Sequence, residues 1–242
     1  NVLVEAGAKL ISGIKNNVQI PLMGAVTVNW ANETGAATDG SAAFTKKTLS
    51  PKRITAKYPI SLELLAQDTL DVESAVREDI IKAVNAKLEE TLLGSDLGDT
   101  SKPSGLFNGK TPDRIQSFGD LVALEAKVDD ANVDGECKYV MSNKAKADFR
   151  VMSKGTKSTQ LVMEQGEIDG TQVLATSHVK DKNVIYGDFS NLVIATWDNI
   201  TIDVVRDVAS VGNGNVTIVV NAFVDAALIR DNALVYGTTA AE

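Results

Sequence analysis

VESAVREDIIKAVNAKLEETLL, Val72 to Leu93, is the stretch on which the reading of this chain turns. Val72, Val76, Ile80, Val84, Leu88 and Leu92 recur every four residues, with Ala75 and Ala83 beside them. This spacing predicts a helix with one apolar stripe. At about 1.5 Å per residue the helix spans roughly 33 Å, longer than an average globular helix, so it needs a large partner surface. Asp71 stands where an N-cap belongs, and Glu73 lies in the first turn, at the positive end of the helix dipole. Glu73/Arg77 and Glu78/Lys82 are spaced as i,i+4 pairs on the wet face. Gly94 supplies the stop.

Before the helix the chain is different. Trp30 to Ser50 is rich in Ala, Thr, Gly, Asn and Lys, with Phe44 and Leu49 its large apolar side chains beyond Ala31. A compact domain has little use for such an excursion. Val18, Ile20 and Leu22 alternate with polar or small neighbours, as do Val26, Val28 and Trp30, which is a strand signal. ANETGAATDGSAA, Ala31 to Ala43, is turn-rich. Phe44 to Leu49 reads as a returning strand, continued after Pro51 by Ile54, Ala56, Tyr58 and Ile60. The expectation is one long two-stranded hairpin that needs support from elsewhere, because an isolated hairpin is marginal in water. Val2 to Ile14 reads as a docking arm or short helix, and Ser61 as the cap of a short helix carrying Leu62, Leu64 and Leu65.

After the helix, Ser95 to Pro112 is a polar loop. Helices are expected over Gly119–Val128 and Lys144–Met152, and strands over Lys138–Ser142, Gln172–Ala175, Val184–Tyr186 and Leu192–Thr196. Ser153 to Gly170 is turn-rich. Ile202, Val204 and Arg206 alternate, GNGN (Gly212 to Asn215) turns, and Val216–Val220 returns, followed by Phe223–Leu228. A glycine-rich turn between two alternating runs predicts a hairpin.

Composition bounds the function. With 242 residues and 44% apolar content the chain can bury a sizeable core, and 5% aromatics means that core is built from Val, Ile, Leu and Ala. A net charge of −8 argues against wrapping nucleic acid through phosphate contacts. The one cysteine, Cys137, excludes a disulfide framework and a thiolate metal site, and reads as a small apolar residue. No apolar run reaches the ~18 residues of a membrane span and no signal peptide is visible. The first residue is Asn1, not Met, so a preceding region of unknown length is expected.

No catalytic constellation emerges. The sole histidine, His178, is flanked by Ser177, but adjacent strand residues face opposite ways and cannot form a nucleophile–base pair. There is no G-x-S-x-G elbow and no P-loop, and the Gly212-Asn213-Gly214 run opens no helix. Asp129, Asp130 and Asp134 do not fit a calcium loop and read as a solvated acidic turn. Lys46-Lys47 with Lys52-Arg53 is a basic run on the hairpin. Its sober reading is a soluble sheet edge; its sharper one is contact with an acidic neighbouring subunit. No cofactor and no metal site is expected. These features point to a non-enzymatic assembly protein of mixed α+β class.

The order of the motifs resembles the major capsid proteins of tailed bacteriophages, whose fold is named after phage Hong Kong 97. The resemblance runs over nearly the whole chain: VTVNWANE ending at Trp30 and Glu33; FTKKTLSPKRITAKYPIS; the Val72 helix; Pro103-Ser104-Gly105-Leu106; YVMSNKAKADFRVM from Tyr139 to Met152; GEIDGTQVLATSHV and IYGDFS; the GNGN turn; and the closing ALVYG. It implies an N-terminal arm with the first peripheral strands (1–29), an extended loop (30–60), a peripheral domain built on the spine helix (61–110), an axial domain (111–198), a returning peripheral hairpin (199–230) and a C-terminal segment (231–242). It further implies hexamers and pentamers closing an icosahedral shell around double-stranded DNA, without sequence-specific binding and without a membrane. Portal, scaffold and maturation protease are its implied partners, the virion its location and the host cytoplasm its place of assembly.

One branch of that family joins subunits by isopeptide bonds between a loop lysine and an asparagine of a neighbour, with a glutamate as base. Phe44-Thr45-Lys46 matches the lysine motif, and Asn213 or Asn215 falls near the asparagine. The glutamate position is occupied by Asn221, which cannot take the proton, and the nearest acid, Asp225, is expected to face another way. No crosslink is therefore expected. Trp30, Glu33, Phe44, Lys46, Lys47, Lys52, Arg53, Asn213 and Asn215 are the candidate inter-subunit contacts. The rival readings are an encapsulin-type cargo compartment of the same fold, a small hydrolase using Ser177 and His178, and a surface adhesin.

Overall fold

The expected spine is helix α2, Val72–Leu92, and its stripe is buried from Ile80 onward: Ile80, Val84, Leu88 and Leu92 are all in the core. The computed structural model describes residues 1–23, 44–63, 72–133, 135–155, 158–206 and 212–240. Asp71, Trp30 and Glu33 lie outside these residues, as does the short helix expected beyond Glu63. Ile80 and Val84 pack with Ile60, Ile218, Val220 and Ala222, whereas Leu88 and Leu92 enter a second cluster with Val140, Ile185, Ile194 and Tyr236. One helix face thus joins two cores. Each such side chain contributes about 1.5–3 kcal/mol by leaving water. On the wet face Lys82 pairs with Glu78 at 3.9 Å and with Asp79 at 3.4 Å.

The end of α2 explains the Pro103–Leu106 motif. A helix leaves its last carbonyls without intrahelical partners. Here the polar loop doubles back, and the amides of Leu106 and Phe107 donate to the carbonyls of Leu92 (2.7 Å) and Gly94 (3.1 Å). Gly105 lies so close that a Cβ there would sit 2.2 Å from the Gly94 oxygen.

The first layer is a four-stranded sheet in the order β1-β11-β12-β4: β1 is Lys9–Ile14, β4 Lys52–Ser61, β11 Leu192–Val205 and β12 Asn215–Leu228. β11 and β12 run antiparallel over 14 residues each, with an irregularity between Trp197 and Thr201. The stretches expected as separate strands before and after Trp197 are therefore one strand with a bulge. The N-terminal segment divides into helix α1 (Val2–Glu5) and β1, separated at Gly7, whose φ of 116° ends the helix. Even-numbered residues of β12 (Ile218, Val220, Ala222) face α2, and the odd-numbered ones face away.

The expected long hairpin is shorter than the sequence suggested. β2 (Val18–Met23) and β3 (Phe44–Leu49) form a separate antiparallel pair, from Val18 opposite Leu49 to Met23 opposite Phe44. β4 leaves this pair and runs along β12, from Lys52 opposite Val224 to Ser61 opposite Asn215. Two groups between them cause the break. Pro51 has no amide hydrogen to continue the ladder, and the Ser50 amide donates to the Asp225 side chain at 3.1 Å.

The second layer is a seven-stranded mixed sheet, ordered β5-β13-β10-β6-β9-β8-β7. Its strands are β5 (Asp113–Arg114), β6 (Lys138–Ser142), β7 (Met163–Glu164), β8 (Glu167–Ile168), β9 (Thr171–Thr176), β10 (Asn183–Gly187) and β13 (Leu234–Thr238). Helices α3 (Phe118–Asp129) and α4 (Asn143–Val151) supply Leu121, Leu124, Val128, Ala145 and Phe149 to the core beside Tyr139, Met141 and Val184. Ser117 and Asp120 form a reciprocal capping box at the start of α3. β13, after the returning hairpin in sequence, pairs with β10 and β5, inside the sheet.

Candidate assembly site

Of the candidate contact residues, Lys46, Lys47, Lys52 and Arg53 lie along the β2–β3 arm and its root. Strand alternation separates its two adjacent lysines. Lys47 and Leu49 point to the body; Lys46 and Thr48 are exposed. The Lys47 ammonium donates to the Leu228 carbonyl at 2.6 Å and to the Asp231 carboxylate at 2.8 Å. Lys46 donates to Gln19 on the neighbouring strand, at 3.3 Å.

Apolar packing fixes the root. Leu49 is 1% exposed and lies with Val193, Ala195 and Trp197, and Ile14, Val18 and Ile20 cover them. The Trp197 Nε1 donates to the Asn16 carbonyl at 2.9 Å, tying β11 to the turn before β2. Beside this cluster Asp225 is buried on the same face of β12. It accepts from Lys52 Nζ at 2.9 Å, from the Ser50 amide at 3.1 Å and from the Ala226 amide at 2.9 Å. A buried carboxylate needs this degree of satisfaction. Arg53, the next residue, is exposed and stands opposite Phe223.

Asn215 opens β12 and Asn213 lies exposed in the turn before it. Lys47 is bound near the other end of that strand, at Leu228. At about 3.4 Å per residue the two ends of β12 are roughly 40 Å apart. Lys46 and the two asparagines therefore do not meet within one chain. Asn221 stands opposite Thr201 and Thr55. Asp225, expected to face another way from it, shares its face of β12, but its oxygens are committed to Lys52 and Ser50. Strand parity, i to i+4, already carried that signal in the sequence.

Among the described residues, Ser177 and His178 do not form the pair that the hydrolase reading needs. His178 Nε2 lies 3.7 Å from Glu89 rather than on Ser177, which is exposed. Glu89 is buried in α2 and also accepts the Val2 amide at 2.6 Å, so it joins α1, the spine and the turn after β9. Among the described residues no group of three or more His, Cys, Asp or Glu side chains is placed to hold a metal. Cys137 is half-buried, and its thiol is raised foremost by burial, which disfavours the nucleophilic thiolate. No described helix is long and apolar enough to cross a membrane. Two acids carry structural tasks that the sequence did not announce, Asp225 at the arm root and Glu89 between the layers.

The family model described as the phage capsid family matches residues 6–239. The chain is 24% identical over 220 residues to the major capsid protein of Halomonas phage phiHAP-1, covering 88% of this chain and 36% of that protein. The chain thus spans about a third of the length of this curated relative. Among solved structures, the capsid of the empty GTA particle aligns with a TM-score of 0.80 at 18% identity, over 99% of this chain and 90% of that one. A chain of Microbacterium phage Oxtober96 aligns with a TM-score of 0.76 at 14% identity, over 98% and 89%. These structures share the mixed helix-and-sheet fold that the motif order implied. Matched by the family model from residue 6 to residue 239, the chain belongs to the phage capsid family.

Proposed function

We propose that this chain is the shell-building unit of a major capsid protein. Copies associate into hexamers and pentamers and close an icosahedral shell around double-stranded DNA. The observation that carries this reading is the arm: a two-stranded ribbon, β2–β3, anchored at its root by Leu49 and by Lys47 while Lys46 and Thr48 remain exposed. An anchored ribbon has a definite direction but no packing of its own, and an adjoining copy supplies the missing surface.

In this reading the four-stranded layer with α2 is the peripheral domain and the seven-stranded layer is the axial domain around the symmetry axes. Residues 30–60 include the loop that overlaps a neighbour, and Trp30, Glu33, Phe44, Lys46 and Arg53 are contacts on it. Lys47 and Lys52 act from inside the subunit, holding the loop's root. Portal, scaffold and maturation protease are the partners, the host cytoplasm the place of assembly and the virion the destination. The role is structural, and the acidic balance of the chain keeps the shell from trapping its contents.

Electron microscopy of the full-length protein expressed alone tests the proposal. Closed shells or rings of five and six are the expected result; a uniform monomer or dimer at high concentration, under all salt and pH conditions, would overturn it. Because Asn221 cannot serve as a base and Asp225 is engaged by Lys52, mature particles should run as monomers on denaturing gels. A ladder of covalent multimers would refute that part.

A further inference from the structure

The four-stranded sheet is covered on one face by α2 and, at one end of the other face, by the chain's own arm, whose Leu49 packs on Val193, Ala195 and Trp197. Past Trp197 this second face lies open. Its rows follow from the register: Asp203 stands opposite Val219, and Val219 opposite Lys57; Arg53 stands opposite Phe223. Residues opposite each other in an antiparallel pair share a face. Asp203, Lys57 and Arg53 are exposed, and Phe223 and Val205 keep 38% and 39% of their surface in solvent. A face three strands wide with two bare apolar side chains suits a two-stranded ribbon, since sheets stack face to face at about 10 Å.

Charge gives this face a direction. Its β4 side carries Arg53 and Lys57, and its β11 side carries Asp203. No ion pair holds Asp203 among the described residues. By contrast, Glu78, Asp79 and Glu90 of α2 are already served by Lys82 and Lys87. An incoming cation is repelled from β4 and drawn to β11. The outer face of the arm offers one: Lys46 is exposed, as is Pro21 opposite it. Within one chain the two charges are far apart. Lys47 is tied to Leu228, and Asp203 stands opposite Val219, roughly 30 Å back along β12. The lysine must therefore come from another copy.

We propose that the open outer face of the sheet beyond Trp197 receives the arm of an adjoining copy of the chain, with that copy's Lys46 paired to Asp203 and its ribbon covering Phe223. The proposal rests on the shell role argued above and names the surface on which the overlapping arm lands. Each sheet is then covered twice on this face, at one end by its own arm root and at the other by the arm of its neighbour.

Charge reversal in the full chain tests it. Lys46→Glu and Asp203→Lys, each alone, should raise the protein concentration at which shells appear by about tenfold, because repulsion replaces attraction. The double variant exchanges the signs and should assemble within about threefold of wild type. Urea unfolding of the unassembled variants should match wild type, since both side chains are exposed. Should either reversal lower the unfolding midpoint, Lys46→Gln and Asp203→Asn answer the same question: combined, they should weaken assembly no more than either alone. Normal assembly of a folded Asp203→Lys variant would overturn the proposal and leave the shell role standing. So would a double variant that assembles no better than either single one, because another part of the neighbour would then lie on this face. A wild type that forms no shells at all would remove the shell role, and this proposal with it.

Discussion

The Lys52 ammonium lies 2.9 Å from the Asp225 carboxylate, with side-chain exposures of 15% and 4%. This buried pair closes the seam where the arm ends and β4 begins. Breaking one partner leaves the other charged and desolvated, so Asp225→Ala is expected to destabilise the chain by about 3–5 kcal/mol. Replacing both, as Lys52→Met with Asp225→Leu, should recover most of that loss. Urea unfolding of the single and double variants checks it; a single variant within ~0.5 kcal/mol of wild type would show that the pair does not hold the seam.

Leu49 is the apolar counterpart of that pair. Leu49→Ala should cost about 2–5 kcal/mol through lost burial and the cavity left among Val193, Ala195 and Trp197. Lys46→Ala, three residues closer to the tip and exposed, should leave unfolding unchanged while weakening assembly. Equilibrium denaturation of unassembled protein, set beside shell yield, separates the two effects.

Gly105 is a packing glycine. Gly105→Ala forces the loop away from the Gly94 oxygen and should cost about 1–3 kcal/mol, by loosening the contacts that finish α2. Gly212→Ala is the control, since a Cβ there meets nothing within 4 Å. Hydrogen exchange at the Leu106 and Phe107 amides should quicken in the first variant and not in the second.

Glu125 accepts the Tyr139 hydroxyl at the edge of the seven-stranded core. Burial foremost raises its carboxyl above the ordinary range, against the lowering effect of Tyr139, and Asp169 and Asp129 raise it further. A folded-state value above the unfolded one means that the folded protein holds this proton more tightly. The associated stability is present at low pH and lost as pH rises through the folded value. Glu125→Gln, which keeps an acceptor and removes the charge, should therefore raise the melting temperature at neutral pH and gain little at acid pH. A larger gain on the acid side would contradict the sign.

Legibility followed locality. The spine needed only its four-residue spacing, and α3, β6 and α4 were readable from local runs of ten residues or so, although the Ser117 cap of α3 was not read. β4 was not. Its alternation of Ile54, Tyr58 and Ile60 suits any sheet, and the decision to leave the arm for β12 depends on Asp225, which lies 175 positions from the Ser50 amide it binds. β1 was missed because Gly7 and Gly13 interrupt its surroundings and because all but one of its residues are exposed, which erases the alternating pattern. The role of Lys47 was hidden for the same reason as that of β4. A basic run reads as solvated until the fold brings Leu228 and Asp231 to it.

The position of β13 bears on the timing of folding. Among the described strands it comes last in chain order, yet it lies between β5 and β10. Until residues 234–238 emerge, β10 shows one unpaired edge and Asp113–Arg114 has no strand to join. A nascent chain therefore carries a vacant slot in its larger sheet, and synthesis of this strand acts as a clock that delays completion of that sheet until residues 234–238 are made.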